Sequence, residues 1–279
     1  MAQIDKIAVV NENVSAPITA TSVNFMKVGT TTEAAGVMHS LFGATGTPSA
    51  WVPATPGLSG AVLSGITNTG CLKFPNATTG SNYLTNVLAT ATVANTFFLA
   101  DHLWYNTGLV VTTTTAQTIN SIAFPARDDT GTVDGKGVMV GILVRTATTN
   151  ASAIANTTMS YTNQDGTSGR TATISSFPAT AVAGTLIFFL LQAGDSGVQS
   201  IQTVTLGTSY GGGVISLVAV RIVAGCPVMI ANAGGQIQTA QGVPGINVRL
   251  YDDVFLMPIY LPITTTANTV FGVINVEEK

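Results

Sequence analysis

Hydrophobic and polar residues follow strand-like patterns through the middle of the chain. In Ile201–Thr208 odd- and even-numbered side chains separate onto two faces, so that Ile201 and Val204 point to opposite sides. This alternation indicates one face in a core and the other against a partner or solvent. The segments Val138–Val144 and Leu186–Leu191 are almost continuously apolar, as expected of strands that are covered on both faces.

Turn-forming residues separate these segments at short intervals, which favours an all-β fold with a jelly-roll-like β-sandwich core. Asn163–Gly166 predicts a hairpin turn in which Gly166 adopts a positive φ. Pro258 and Pro262 place their strand at a sheet edge, because proline has no N–H for the ladder. The predicted strands are Leu88–Leu99, Gly108–Thr115, Gln117–Phe124, Gly137–Thr146, Thr157–Asn163, Arg170–Ser175, Thr185–Gln192, Ile201–Thr208, Val214–Val223, Leu256–Ile263 and Thr269–Val276.

One helix is predicted, at Thr31–Phe42. Thr32 would cap its start, apolar residues recur near one face, and Gly43 would end it. Residues 1–85 otherwise contain many Gly, Pro, Ser and Asn residues and no long periodic segment. We therefore expect an extended, loop-rich N-terminal arm over residues 1–85 that contacts another subunit.

The remaining sequence predicts two further zones. Residues 86–230 carry dense strand signals and form the predicted β-sandwich core. Residues 231–279 begin with a Gly- and Gln-rich link, followed by strands that complete the fold or form a contact between subunits.

The composition contains few groups that could perform chemistry. Charged residues make up 8% of the chain, and there are two His and two Cys, whereas about a quarter of the residues in a typical soluble domain are charged. We predict that the chain is not an enzyme and has no catalytic, cofactor-binding or metal site.

The net charge of −3, without a run of Lys or Arg, argues against nucleic acid as a partner. Apolar runs too short to span a bilayer argue against a membrane, and the N-terminus has no apolar core typical of a signal peptide.

Gly194-Asp195-Ser196-Gly197 has the same four letters that surround the nucleophile of trypsin-like proteases. With His102 and either Asp128 or Asp129, Ser196 would complete a triad in the corresponding chain order. The favoured interpretation is a turn between two strands, since these residue types prefer turns and the rest of the motif is missing.

Asp128, Asp129 and Asp134 could offer carboxylate oxygens to Ca²⁺. Their spacing is not that of a calcium loop, so a polar loop is favoured, and Asp252-Asp253 is interpreted in the same way. Cys71 and Cys226 are interpreted as buried free thiols. Carbohydrate binding would use exposed aromatic rings, and the candidates are Trp51, Trp104 and Tyr105, for which burial is favoured.

About half of the chain resembles a group of tailed-bacteriophage virion proteins associated with capsid surfaces. The similarity lies in residue composition and in short sequence segments, and it provides no catalytic signature. The segments that carry it are Pro48–Gly60, His102–Asp128, Met159–Ile174, Leu191–Leu206 and Leu217–Val223.

The resemblance implies a structural virion protein, namely a β-rich head decoration or cement protein that stabilises the capsid surface. The expected partners are copies of the same chain, as a homotrimer, and a major capsid protein. The expected location is the virion, assembled in the host cytoplasm. A tail tube or tail fibre component is the alternative, and a carbohydrate-binding module is a more remote one. The low charge independently predicts an obligate oligomer, because a monomer would leave apolar surface in water.

Overall fold

The protein, described here from a computed structural model, is all-β over residues 20–29, 33–238 and 248–278, and these residues contain no helix. The strands are β1 (Ala20–Val28), β2 (His39–Ser40), β3 (Thr45–Thr47), β4 (Ala61–Val62), β5 (Asn82–Ala91), β6 (Asn95–Tyr105), β7 (Gln117–Thr118), β8 (Val138–Thr146), β9 (Ile154–Asn163), β10 (Arg170–Phe177), β11 (Leu186–Phe188), β12 (Val198–Thr205), β13 (Val214–Val228), β14 (Gly234–Gln238), β15 (Val248–Leu250), β16 (Leu256–Pro262) and β17 (Thr269–Glu278).

Three antiparallel sheets form the fold. The central sheet has the order β11-β8-β13-β6-β16-β2, and β4 also pairs with β6. A four-stranded sheet has the order β10-β9-β12-β7, and a six-stranded sheet has the order β14-β5-β17-β1-β3, with β15 on β5. The longest strand, β13, extends through the central sheet and contributes to the packing of both smaller sheets.

The two smaller sheets pack against different ends of β13. Near its start, Ile215 and Leu217 join the apolar core shared with the four-stranded sheet. Near its end, Cys226 and Val228 join the core shared with the six-stranded sheet. Sheet-on-sheet packing of this kind buries one face of each sheet, so the predicted β-sandwich core is confirmed.

The other face of the central sheet is covered by the loop-rich N-terminal region. Val218 of β13 packs there in a core cluster with Phe42, Trp51, Leu63 and Cys71. The described residues between β1 and β5 contain only strands of two or three residues. The described part of the predicted arm therefore covers the chain's own sheet, and residues 1–19 lie outside the described residues.

The first described strand is an integral part of the fold. All nine residues of β1, from Ala20 to Val28, pair with β17. Strand β17 in turn pairs with β5, so the C-terminal segment joins two strands of the N-terminal region. The division of the chain at residues 85 and 230 remains a prediction.

Most strand predictions in the middle and at the C-terminus agree with the structure, and three are wrong. Leu88–Leu99 is the end of β5, a turn and the start of β6. Gly108–Thr115 is a loop, and Gln117–Phe124 is extended only at the two residues of β7. The predicted edge position of Leu256–Ile263 is also wrong, because β16 lies between β6 and β2, although β2 pairs with only two of its residues.

The predicted helix is absent from the described residues 33–42, and Thr31 and Thr32 lie outside the described residues. Gly36 has a φ of 73°, a left-handed conformation that interrupts a right-handed helix. Its N–H donates to the carbonyl of Pro262 at 2.8 Å, and His39 and Ser40 pair with β16. Tertiary pairing with a distant strand therefore replaces the helix.

Candidate assembly surface

The structure does not assemble the protease triad. His102 is fully buried, and neither of its ring nitrogens has a hydrogen-bond partner within the described ranges. No hydrogen bond therefore joins it to Ser196, Asp128 or Asp129. Burial without a compensating partner lowers the pKa of His102 to about 3, so the ring is neutral at neutral pH.

Gly194–Gly197 lies in the connection between β11 and β12 and stabilises it. The carboxylate of Asp195 accepts hydrogen bonds from Nε and Nη2 of Arg170, both at 2.9 Å, and from Nδ2 of Asn163 at 2.8 Å. The Arg170 guanidinium, despite the opposing effect of desolvation, holds the pKa of Asp195 far below its ordinary value. The exposed Ser196 donates its backbone N–H to Gln164, so the motif forms a structural turn in this fold.

Asp128 organises the loop that was weighed as a cation site and interpreted as a polar loop. One oxygen, Oδ1, accepts hydrogen bonds from the backbone N–H groups of Thr130 at 2.9 Å and Thr132 at 2.8 Å. The other, Oδ2, accepts from the N–H groups of Gly135 and Lys136, both at 3.1 Å. Desolvation raises the pKa of Asp128, but the hydrogen bonds from the two threonines lower it more, so the pKa is below its ordinary value. N–H and O–H donors thus satisfy this carboxylate, as expected for the polar-loop interpretation.

Asp129 and Asp134 do not join Asp128 in a metal centre. Across the described ranges, no group of three or more His, Cys, Asp or Glu side chains is placed to hold a metal ion. Asp252 and Asp253 likewise belong to no such group.

The aromatic residues considered for carbohydrate binding are core residues. Trp51 is 6% exposed, Trp104 is fully buried and Tyr105 is 2% exposed. The indole N–H of Trp104 donates to the Ser59 carbonyl at 3.0 Å, and the Tyr105 hydroxyl donates to the Ala54 carbonyl at 2.9 Å. Carbohydrate stacking on these three rings is therefore excluded, and their predicted burial is confirmed.

Both cysteines are free and buried, as predicted. Burial raises the pKa of Cys71 to about 11 and raises that of Cys226 as well. A thiol with a raised pKa is a poor nucleophile at neutral pH, so neither cysteine is suited to catalysis.

An apolar surface lies on the solvent side of the six-stranded sheet, and we call it the outer face. On β1, Met26 and Val28 are 39% and 40% exposed, whereas Phe25, on the opposite side of the pleat, points into the core. Phe271 of β17, which is 38% exposed, lies directly opposite Met26 in the ladder, and Leu88 of β5 is 42% exposed. Three neighbouring strands therefore present large apolar side chains on one side.

The outer face contains few charges. In β1, β5 and β17 the charged residues are Lys27, Glu277 and Glu278. Lys27 is fully buried and donates from Nζ to the carbonyls of Ala44 and Ser49, both at 3.2 Å. Within these three strands, charge on the outer face is therefore confined to the glutamates at the end of β17. Arg249 of β15, which pairs with Tyr83 of β5, adds an exposed charge at the same end of the sheet.

A second apolar surface lies at one end of the central sheet, and we call it the tip patch. Met229, Ile230 and Ile263 are 79%, 68% and 62% exposed. They follow β13 and β16, whose last residues both pair with Asn95. The three side chains therefore extend from adjacent strand ends on either side of β6.

Sequence analysis did not identify the outer face, because it missed β1 as a strand. The alternation of inward Val23, Phe25 and Lys27 with outward Asn24 and Met26 is visible in the sequence. The lysine at an inward position hides the pattern, since lysine is rarely fully buried.

No protein-family model and no curated protein matches the chain. Among solved structures, the VP2 subviral particle of infectious bursal disease virus is similar at 14% identity, covering 94% of this chain and 81% of that one, with a TM-score of 0.18. T=1 particles derived from that virus are similar at 13% identity, covering 94% and 78%, with a TM-score of 0.19. TM-scores of this size carry no argument about fold or function. No helix in the part of the chain that the structure describes is long and apolar enough to span a bilayer.

Proposed function

We propose that this chain is a structural virion protein that assembles as a homo-oligomer through its outer face. The observation that carries the proposal is the row of half-exposed Met26, Val28, Leu88 and Phe271 on a sheet surface with little charge. The cores of protein interfaces are depleted of charged residues and enriched in Phe and Met. Covering these side chains would remove from water an apolar area that a monomer leaves exposed.

The interior chemistry supports a packing role. The His102 ring is buried without partners, and Asp128 is satisfied within its own loop. Asp195, in the turn that contains Ser196, is held by Arg170 of β10 and Asn163 of β9. Their arrangement stabilises the fold.

The finer proposal is a head decoration or cement protein of a tailed phage. It would form a homotrimer on the major capsid protein and be assembled in the host cytoplasm. The resemblance to tailed-phage virion proteins supports this location. The two separate apolar surfaces would provide the two contacts that such a protein needs: the outer face joins copies of the chain, and the tip patch contacts the particle.

The proposal is tested by adding the purified, tagged chain to particles of the phage that encodes it, grown without its gene. We expect antibody labelling of heads that persists in moderate salt, because apolar contacts are weakly screened. Met229→Lys should reduce labelling, whereas Val110→Lys, a change at an exposed apolar residue in a distant loop, should not. Labelling of tails would instead support the tail alternative. Absence of the chain from wild-type particles would overturn the virion assignment.

A further inference from the structure

A cavity of about 270 Å³ lies between β2, the end of β8 and the loop that carries Trp51. It is separate from the outer face and the tip patch. Glu33, His39, Trp51 and Arg145 contribute its polar lining, together with backbone around Gly184. Since one water occupies about 30 Å³ in the liquid, the cavity has room for several waters or one small organic molecule.

His39 directs an unpaired N–H group into this region. The side chain is 2% exposed, and its Nε2 accepts a hydrogen bond from the backbone N–H of Ala34 at 3.3 Å. Burial lowers the pKa of His39 to about 4, so the ring is neutral at neutral pH. An accepting Nε2 on a neutral ring leaves the proton on Nδ1, and Nδ1 has no partner within the described ranges.

Two further donors in the cavity lining are also unpaired. Trp51 is 6% exposed, and its Nε1 has no acceptor among the described residues. The guanidinium carbon of Arg145 lies 5.2 Å from the centroid of the Trp51 ring, and Nη1 of Arg145 is buried without a partner. The ion pairs of the described residues join Arg127 to Asp101 and Arg170 to Asp195, and Arg145 forms none of them.

We propose that this cavity binds a single carboxylate group, held by Nη1 of Arg145, Nε1 of Trp51 and Nδ1 of His39. A carboxylate offers two oxygens with about four lone-pair sites, enough to accept from all three donors, and its charge pairs with Arg145. The carboxylate of Glu33 lies beside the Tyr260 hydroxyl in the same lining. The bound carboxylate belongs to a free small acid or to an acidic residue of a neighbouring chain.

The chain's two tryptophans provide a direct test with an internal control. The indole N–H of Trp51 is unpaired, whereas that of Trp104 already donates to Ser59. In a transverse-relaxation-optimised NMR spectrum of the intact protein, acetate is titrated at constant ionic strength against chloride. Acetamide serves as the neutral probe of the same shape.

We expect the Trp51 indole proton to shift downfield and saturate with a millimolar dissociation constant, while the Trp104 signal stays in place. Acetamide should cause no such shift, and Arg145→Gln should weaken acetate binding at least about tenfold, the effect of losing one charge-assisted contact. An unchanged Trp104 signal shows that the variant is folded. If a neighbouring chain supplies the carboxylate, the Trp51 signal is already downfield without acetate and moves upfield on dilution to monomer. The absence of both shifts, an equal response to acetamide, or undiminished binding by Arg145→Gln would overturn the proposal.

Discussion

Arg127 and Asp101 form a buried ion pair where the N-terminal loops meet the central sheet. Nε of Arg127 lies 3.1 Å from Oδ2 of Asp101, and the side chains are 4% and 0% exposed. The remaining guanidinium N–H groups donate to the carbonyls of Asp253 and Leu63, both at 2.8 Å, and of His102 at 3.1 Å. One side chain therefore satisfies backbone carbonyls from three separate segments and links the Asp128 loop to β6.

Replacing Arg127 by methionine should strongly destabilise the fold. The variant leaves Asp101 buried without its counter-ion and removes one donor from each of three carbonyls, and breaking one side of a buried pair costs about 3–5 kcal/mol. Urea unfolding followed by tryptophan fluorescence measures the loss. The matched control is Arg170→Met, since Arg170 is 24% exposed and the 3%-exposed Asp195 keeps its hydrogen bond from Asn163. It should cost less, and equal losses in the two variants would contradict the assigned role of Arg127.

Mild acid should destabilise the protein through its two buried histidines. Burial lowers the pKa of His39 to about 4 and that of His102 to about 3, from 6.5. Below 6.5 the unfolded state therefore binds protons that the folded state does not, and stability falls with pH until the folded pKa is reached. Each histidine contributes a slope of up to about 1.4 kcal/mol per pH unit in this window.

The variant His102→Leu isolates one of these contributions. It removes no hydrogen bond of the described residues, because both ring nitrogens are unpaired. The free energy of unfolding is measured between about pH 6.5 and pH 5, above the ordinary pKa of carboxyl groups. We expect a shallower pH dependence than in the wild type. The same slope in both proteins would show that His102 is not the titrating group.

The sequence predicts strands well where the apolar pattern is continuous and poorly where distant residues make the turn. Strands β8 and β13 lie close to their predicted positions, because their apolar runs suit strands covered on both faces. The turn between β5 and β6 contains no Gly or Pro. It is held by Asn268, whose Oδ1 accepts from the N–H of Val93 at 3.1 Å and whose Nδ2 donates to the Val93 carbonyl. A residue so distant in sequence cannot be recognised from the local pattern.

In strand β12 a β-bulge interrupts the alternation of side chains between the two faces of the sheet. Ile201 and Val204 were predicted to face opposite sides, yet both are fully buried in the same core. A register shift between Ile201 and Thr203 against β9 adds the extra residue that reverses the pleat. The cavity lined by His39, Trp51 and Arg145 could not be predicted from the sequence either, because these residues come from three segments that meet only in the folded chain.

The Asp128 loop should hold its shape without a cation. Both carboxylate oxygens already accept hydrogen bonds from N–H groups of the loop. Adding Ca²⁺ or a chelator should therefore leave the thermal unfolding midpoint unchanged. Asp128→Asn should lower stability by about 1–3 kcal/mol, since the amide has one accepting oxygen and leaves donors unsatisfied. Asp134→Asn is the control in the same loop. A midpoint that rises in Ca²⁺ would restore the cation-site interpretation.

The outer face should control the oligomeric state. Phe271→Lys places a charge opposite Met26 in the ladder, where an oligomer would have to bury it. The monomer fold should survive, because Phe271 is 38% exposed. Light scattering after size exclusion at micromolar concentration should show an oligomer for the wild type and for Val110→Lys, and a monomer for Phe271→Lys. Salt should change the wild-type mass little, because apolar contacts rather than ion pairs form the interface. A wild-type monomer, or a Phe271→Lys oligomer of unchanged mass, would show that the outer face does not join copies of this chain.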